Sequence, residues 1–260
     1  MHVDVFTKGK TEEQNEDFFG YDDTTYVVAD GATDKSGNTY NDKTGGEIAA
    51  HIIVATCLQT NLNGPALVKE INQRIRQEHI AQGILEATEE HAKNRFTGTF
   101  VCVRHIEKEF VITALGDVSY RLNGIYTYSE QKEIDIINAK KRADYITETH
   151  DIPGSRRFLY PHLSMQFAYQ NIPEHPLGYG TVDGSETPDK YVHLRHYPSN
   201  SIERIEIFTD GYYYSPPADG CTIAHWEHMI EQIHREDPNK YKTYKATKSN
   251  DDRTVMIITS

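Results

Sequence analysis

Acidic residues stand at the borders of strand-like runs at four places far apart in this 260-residue chain: Asn15-Glu16-Asp17, Ala29-Asp30-Gly31, Thr209-Asp210-Gly211 and Asn250-Asp251-Asp252. The neighbouring runs Thr25–Ala29, Ile205–Thr209 and Thr254–Thr259 are rich in β-branched and aromatic residues. A carboxylate at a strand end projects from a rigid support, and several converging would offer the all-oxygen surroundings that Mg²⁺ and Mn²⁺ take. Any one of these acids alone reads as a solvated turn residue, and Asp-Gly is a common hairpin turn. What distinguishes them is their joint occurrence, each beside a strand-like run. Two like charges about 4 Å apart repel by roughly 4 kcal/mol at an effective dielectric near 20, so a cluster of this kind is expected to bind cations or to hold protons.

The elements that must position these acids are legible in outline. Ile48, Ile52, Ala55 and Leu58 give a helical stripe between Thr44 and Leu62, broken by Asn63-Gly64-Pro65. Leu67, Ile71, Ile75, Ile80 and Ile84 mark the apolar face of a second helix. Strands are expected at 99–103, 109–115, 119–122 and 125–128, reading together as an antiparallel meander. Residues 129–200, with six prolines, read as a loop-rich flap over the site. A turn at Ser215-Pro216-Pro217, a helix around Thr222–His234 bearing Trp226 and a final strand complete the chain.

Composition narrows the function classes. The length suits one domain over residues 1–260 with the 129–200 segment as an insertion. A formal charge of −12 argues against nucleic-acid or anionic-membrane partners, which require basic patches. The longest apolar run, Ile52–Ala55, is far too short to cross a bilayer. Met1–Phe6 shows neither a basic leader nor a long apolar stretch, and Cys57, Cys102 and Cys221 form no paired framework, so a reducing, cytoplasmic setting is expected.

The order Asn15-Glu16-Asp17, Val27-Val28-Ala29-Asp30-Gly31, Gly45–Ala50, Thr97-Gly98-Thr99, Ala114-Leu115-Gly116-Asp117, Phe208–Gly211 and Asp251–Val255 resembles the metal-dependent Ser/Thr protein phosphatases of type 2C, the PPM family, with Leu177-Gly178 similar to its bacterial members. The resemblance spans nearly the whole chain. It implies an α+β fold, a four-layer αββα sandwich of two antiparallel sheets with a pair of helices outside each. It also implies hydrolysis of phosphoserine and phosphothreonine esters by a metal-activated water, with Asp30, Asp210 and Asp251 as the catalytic set. Two Mn²⁺ or Mg²⁺ ions would be held by Asp30, Asp210, Asp251 and the Gly31 carbonyl, with Glu16 and Asp17 acting through water. A weak third ion would use Asp117 and Asp210. The expected partners are phosphorylated proteins and the Ser/Thr kinase that modifies them.

Three positions depart from the family pattern. Glu12 stands where many members have a phosphate-clamping arginine, leaving Lys8, Lys10, Arg156 and Arg157 as substitutes. Ala32 replaces a histidine that would protonate the leaving alcohol, while His150, His162 and His175 lie in the flap. Tyr214 stands where a further aspartate often supports the third ion. Two other readings therefore stay open: a catalytically silent regulatory or phosphoprotein-binding module, and a small-molecule phosphatase whose pocket uses Tyr212-Tyr213-Tyr214.

Overall fold

The computed structural model describes residues 1–32, 35, 37–212 and 221–260. The turn expected at Ser215-Pro216-Pro217 lies outside them, as do Tyr213 and Tyr214. Two antiparallel five-stranded sheets pack face to face. The first has the order β1 (His2–Lys8), β10 (Arg253–Thr259), β9 (Arg204–Phe208), β6 (Ser119–Leu122), β7 (Tyr126–Tyr128). The second runs β2 (Asp17–Tyr21), β3 (Thr25–Ala32), β4 (Thr97–Ile106), β5 (Glu109–Leu115), β8 (His193–Pro198).

Side chains alternate across each strand, and both faces of the central strands are covered, which is why their sequences run almost continuously apolar. From β3, Tyr26 and Val28 point into the layer between the sheets, where they meet Val101, Ile112, Tyr120, Ile207 and Met256. Val27 and Ala29 point the other way, onto α1 (Gly45–Gln59) and α2 (Gly64–Ala81) through Ala49, Ile53, Cys57 and Ile71. The face of α1 against the sheet is therefore Ala49, Ile53 and Cys57, with Ile48, Ile52 and Leu58 on its flanks. Because α1 is apolar nearly all round, spacing alone selects the wrong stripe. Its sister α2 has a polar side, and Leu67, Ile71 and Ile75 are buried as expected, whereas Ile80 is exposed and Ile84 lies beyond the helix end at Ala81. On the outer face of the first sheet, Phe208, Val255 and Ile257 pack on Trp226, Ile230 and Ile233 of a C-terminal helix, Ile223–Glu236.

Two sequence-based expectations are corrected. The meander is two hairpins: β4 pairs with β5 in one sheet and β6 with β7 in the other, and the chain changes sheets at Gly116-Asp117. The 129–200 segment is not loop-rich. It holds α4 (Glu133–Thr149) and α5 (Ile152–Gln166), with α3 (Leu85–Glu90) earlier and α6 the C-terminal helix in chain order. Pro153 sits in the first turn of α5 under an Asp151 cap, where no amide donor is needed, and Pro161 is tolerated inside the helix. The two helices form a hairpin turned at His150, which adopts the left-handed conformation (φ 56°), and Tyr145 stacks on Phe158 at 4.5 Å. This hairpin walls the open end of the sandwich.

Candidate active site

The strand ends carrying the acidic signatures meet at that open end. Asp30, near the end of β3, is paired with Asp17 on one neighbour and with Thr99 on the other. Thr209, at the end of β9 in the opposite sheet, takes a hydrogen bond from the Thr254 amide (3.0 Å) and donates one to Asp17 Oδ2 (2.8 Å). One hydroxyl thus ties the two sheets together beside the acids. Thr99 donates to Asp117 Oδ1 at 2.9 Å, fixing the carboxylate at the point where the chain changes sheets.

Asp30-Gly31 lies within β3 rather than in a hairpin turn, and Asp210-Gly211 occupies the turn closed by the Tyr212 amide on the Thr209 carbonyl (3.1 Å). A Cβ on Gly31 would lie 2.1 Å from the Gly46 carbonyl oxygen at the start of α1, and one on Gly211 would lie 2.0 Å from the Asp252 carbonyl oxygen. Glycine is required because another backbone passes against each of them. The same packing places Asp30 and Asp210 at the rim of one cavity.

That cavity measures about 530 Å³ and is lined by Asp30, Gly31, Asp117, Asp210 and Asp251. Asp135 and Ile136 of α4 and Arg156, Gln166 and Phe167 at α5 form its outer wall. Glu16 and Asp17 stand behind this lining. Glu16 is engaged by Lys10 and by Thr44 Oγ1 (2.7 Å), and Thr44 also caps α1. Asp252, 4 % exposed, turns toward the N-terminal loop, where Oδ1 accepts from the Lys10 amide at 2.7 Å.

Burial, with the fields of Asp210, Asp17 and Asp117 added, pushes the Asp30 carboxyl well above its ordinary range. Asp210, which is exposed at the cavity rim, moves the same way, through partial desolvation first and then repulsion by Asp251 and Asp117. Burial raises Asp17 from 3.8 to about 7 despite the Thr209 hydrogen bond. Asp117 goes down: burial opposes ionisation there, but the Lys132 ammonium 2.6 Å away outweighs it.

Hard divalent cations fit this donor set, which is all oxygen and self-repelling, with Asp17 Oδ1 buried and lacking a hydrogen-bond partner among the described residues. Also among the described residues, no three acidic, histidine or cysteine side chains already close on a common point. Two of the cavity carboxylates are instead engaged by lysines, Asp117 by Lys132 and Asp251 by Lys248.

The raised carboxyls fix the sign of a pH effect. A group that holds its proton more tightly in the folded state stabilises the fold at low pH and loses that contribution as pH climbs toward its raised pKa. For Asp17 the window runs from 3.8 to about 7. The loss across it is on the order of 4 kcal/mol at most. Metal-free protein is therefore expected to lose thermal stability between about pH 5 and about pH 7.5, and Mn²⁺ to raise Tm by several degrees at the upper pH and little at the lower. An equal Mn²⁺ effect at both pH values in a thermal-shift assay would count against the carboxylate cluster.

The sequence profile described as protein phosphatase 2C matches residues 9–246. The chain belongs to the protein phosphatase 2C family. Solved phosphatase 2C structures share the fold. The serine/threonine phosphatase PstP/Ppp of Mycobacterium tuberculosis aligns at 14 % identity over 98 % of this chain and 97 % of its own, with a TM-score of 0.55. The PstP catalytic domain in complex with two manganese ions also aligns at 14 % identity, over 98 % and 96 % with a TM-score of 0.56. Stp1 of Staphylococcus aureus aligns at 17 % over 99 % and 94 %, with a TM-score of 0.53. No curated protein matches the sequence.

Within this phosphatase 2C fold the departures from the family pattern acquire positions. Glu12 is exposed and outside the cavity lining, whereas Ala32 lines it. Among the described residues no histidine lines the cavity; His150, His162 and His175 are all elsewhere. Of the basic candidates, Arg156 lines the cavity and Lys8, Lys10 and Arg157 do not. Tyr212 lines it too, but its hydroxyl donates to Glu227 at 2.7 Å and its ring meets Trp226 edge-on, which is core packing. Sequence reasoning passed over Lys132, Lys248 and the threonine hydroxyls. Lys248, three residues before Asp251, had a positional signal; Lys132 had none.

Proposed function

We propose that this chain hydrolyses phosphoserine and phosphothreonine esters in proteins and depends on Mn²⁺ or Mg²⁺. The observation that carries the reading is the opening of Asp30, Asp210 and Asp251, from both sheets and the segment before β10, into one cavity where Asp30 and Asp210 repel each other. Asp30, Asp210, Asp251 and the Gly31 carbonyl would hold two ions, with Glu16 and Asp17 behind them and Asp117 with Asp210 as a weaker third position. Bound there, the ions would supply Lewis-acid activation of water and neutralise charge on the phosphoryl oxygens.

The remaining work falls to the chain. Thr99 and Thr209 hold Asp117 and Asp17 in register, and Arg156 offers the phosphate a guanidinium from the cavity wall. Ile136 and Phe167 give that wall an apolar surface against which a peptide can lie. With alanine at position 32, nothing at that point donates a proton to the leaving alcohol, so esters with good leaving groups should turn over best. The partners that fit are phosphorylated proteins and their kinase, in a cytoplasmic setting; among the described residues no helix is long and apolar enough to cross a membrane.

A phosphothreonine peptide and p-nitrophenyl phosphate, each assayed with Mn²⁺, with Mg²⁺ and with EDTA, test this reading. Metal-dependent turnover of both is expected. Tight Mn²⁺ binding without turnover would favour the silent regulatory module, a reading to which Glu12 and Ala32 lend support. Turnover of small phosphate esters alone would favour the small-molecule phosphatase.

A further inference from the structure

The cavity that gathers the acids also gathers ammonium groups. Lys132 Nζ lies 2.6 Å from Asp117 Oδ2, with the lysine side chain 13 % exposed and the aspartate 14 %. The Lys248 ammonium rests on Asp251 Oδ1, with the lysine side chain 32 % exposed and the aspartate 6 %. Both lysines line the same cavity as Asp30 and Asp210. The Lys132 pair is enclosed on both sides and the Lys248 pair on its aspartate side, unlike the solvent-screened pairs found on protein surfaces, whose contribution is small. Both Asp117 oxygens are taken, Oδ1 by Thr99 and Oδ2 by Lys132, and Asp251 Oδ1 accepts from Lys248 and from the Asp252 amide, so a divalent ion that takes any of these oxygens competes with the groups already on it.

We propose that Lys132 and Lys248 are built-in cations of the site, each holding a carboxylate that a divalent ion must take from it and each then facing the phosphoryl group. This rests on the metal-dependent reading above. A buried ammonium deprived of its carboxylate needs another anion. Lys132 is confined beside the Tyr179 ring, 5.2 Å away, and Lys248 beside the acids of the cavity floor, so the anion within reach is the one that enters the cavity. The phosphate-gripping charge that position 12 lacks is thereby delivered from two different segments, 132 before α4 and 248 before β10. Lys10 does not compete for that role, being engaged by Glu16 and Asp252 outside the lining.

Calorimetric titration of Mn²⁺ into wild type, Lys132→Gln, Lys248→Gln and Lys248→Arg tests the first half, and titration of inorganic phosphate into the Mn²⁺-loaded proteins the second. Each glutamine variant is expected to bind Mn²⁺ about ten-fold more tightly and phosphate about ten-fold more weakly, two changes of opposite sign from one lost charge. Lys248→Arg, which keeps the charge, should stay within about three-fold of wild type in both. Unchanged or weaker Mn²⁺ binding in the folded glutamine variants, or unchanged phosphate binding, overturns the proposal. Wild type that binds no Mn²⁺ overturns the metal-dependent reading itself, which separates the two failures.

Discussion

Asp30→Asn is expected to lower Mn²⁺-dependent hydrolysis of p-nitrophenyl phosphate by at least about a thousand-fold, roughly 4 kcal/mol of transition-state stabilisation. Asp30 is paired in register with another acid, Asp17, and it feels Asp210, Asp117 and Asp251 as well. Asparagine keeps the shape but removes the charge, so Mn²⁺ affinity should fall together with activity. The fold should not suffer. In the metal-free chain near neutral pH the substitution relieves repulsion, and Tm should be unchanged or higher. More than about a tenth of wild-type activity in this variant would remove Asp30 from the ligand set, because an essential ligand cannot be lost so cheaply. A collapsed Tm would show instead that the carboxylate holds the strands.

Arg142→Met should cost about 3 kcal/mol of stability and also most of the activity, although residue 142 does not line the cavity. Arg142, on α4, is 2 % exposed. Its Nη1 donates to the carbonyls of Asn239, Lys240 and Ala246 at 3.0–3.1 Å, and its Nη2 to Ser249 Oγ at 2.9 Å. Those residues bracket the segment that delivers Lys248 and Asp251. The segment's other anchor is Asp237, whose carboxylate accepts amides from Tyr241 to Tyr244. Methionine fills the volume but takes the Arg142 donor from the Ala246 carbonyl and leaves the Lys240 carbonyl with the Ala246 amide (3.1 Å) and the Asn239 carbonyl with the Ser249 hydroxyl (3.4 Å). Limited proteolysis should therefore cut the variant first between about residues 238 and 250, and Arg142→Lys should rescue little, since one ammonium cannot fan across three carbonyls. Loss of stability with the 238–250 segment still protected would show that Arg142 serves α4 alone.

The strands that the sequence announces are those buried on both faces, such as Thr25–Ala32 and Arg253–Thr259, where tertiary demand and β-propensity coincide. β8, His193–Pro198, was illegible because it is an edge strand with half-exposed polar side chains and a proline. In α5 Pro153 and Pro161 spoke for a loop, while its pairing with the proline-free α4, visible only in three dimensions, decided the outcome. At the site, motif order placed Asp30, Asp117, Asp210 and Asp251 on one cavity from positions up to 221 residues apart, 251 minus 30. It could not reveal which cations would oppose them. Lys132 is joined to Asp117 only through the reversal at β6 and β7, and no spacing along the chain encodes that meeting.

β10 is the last strand of the fold in chain order yet lies inside its sheet, with Met256 opposite Val5 of β1 on one side and Ile207 of β9 on the other. During synthesis, β1 and β9 would thus wait on either side of an empty lane, their edges open to other chains, until β10 is available to pair with both. Asp251 emerges immediately ahead of that strand. Closure of the sheet and delivery of the Asp251 carboxylate to the cavity would then be a single event.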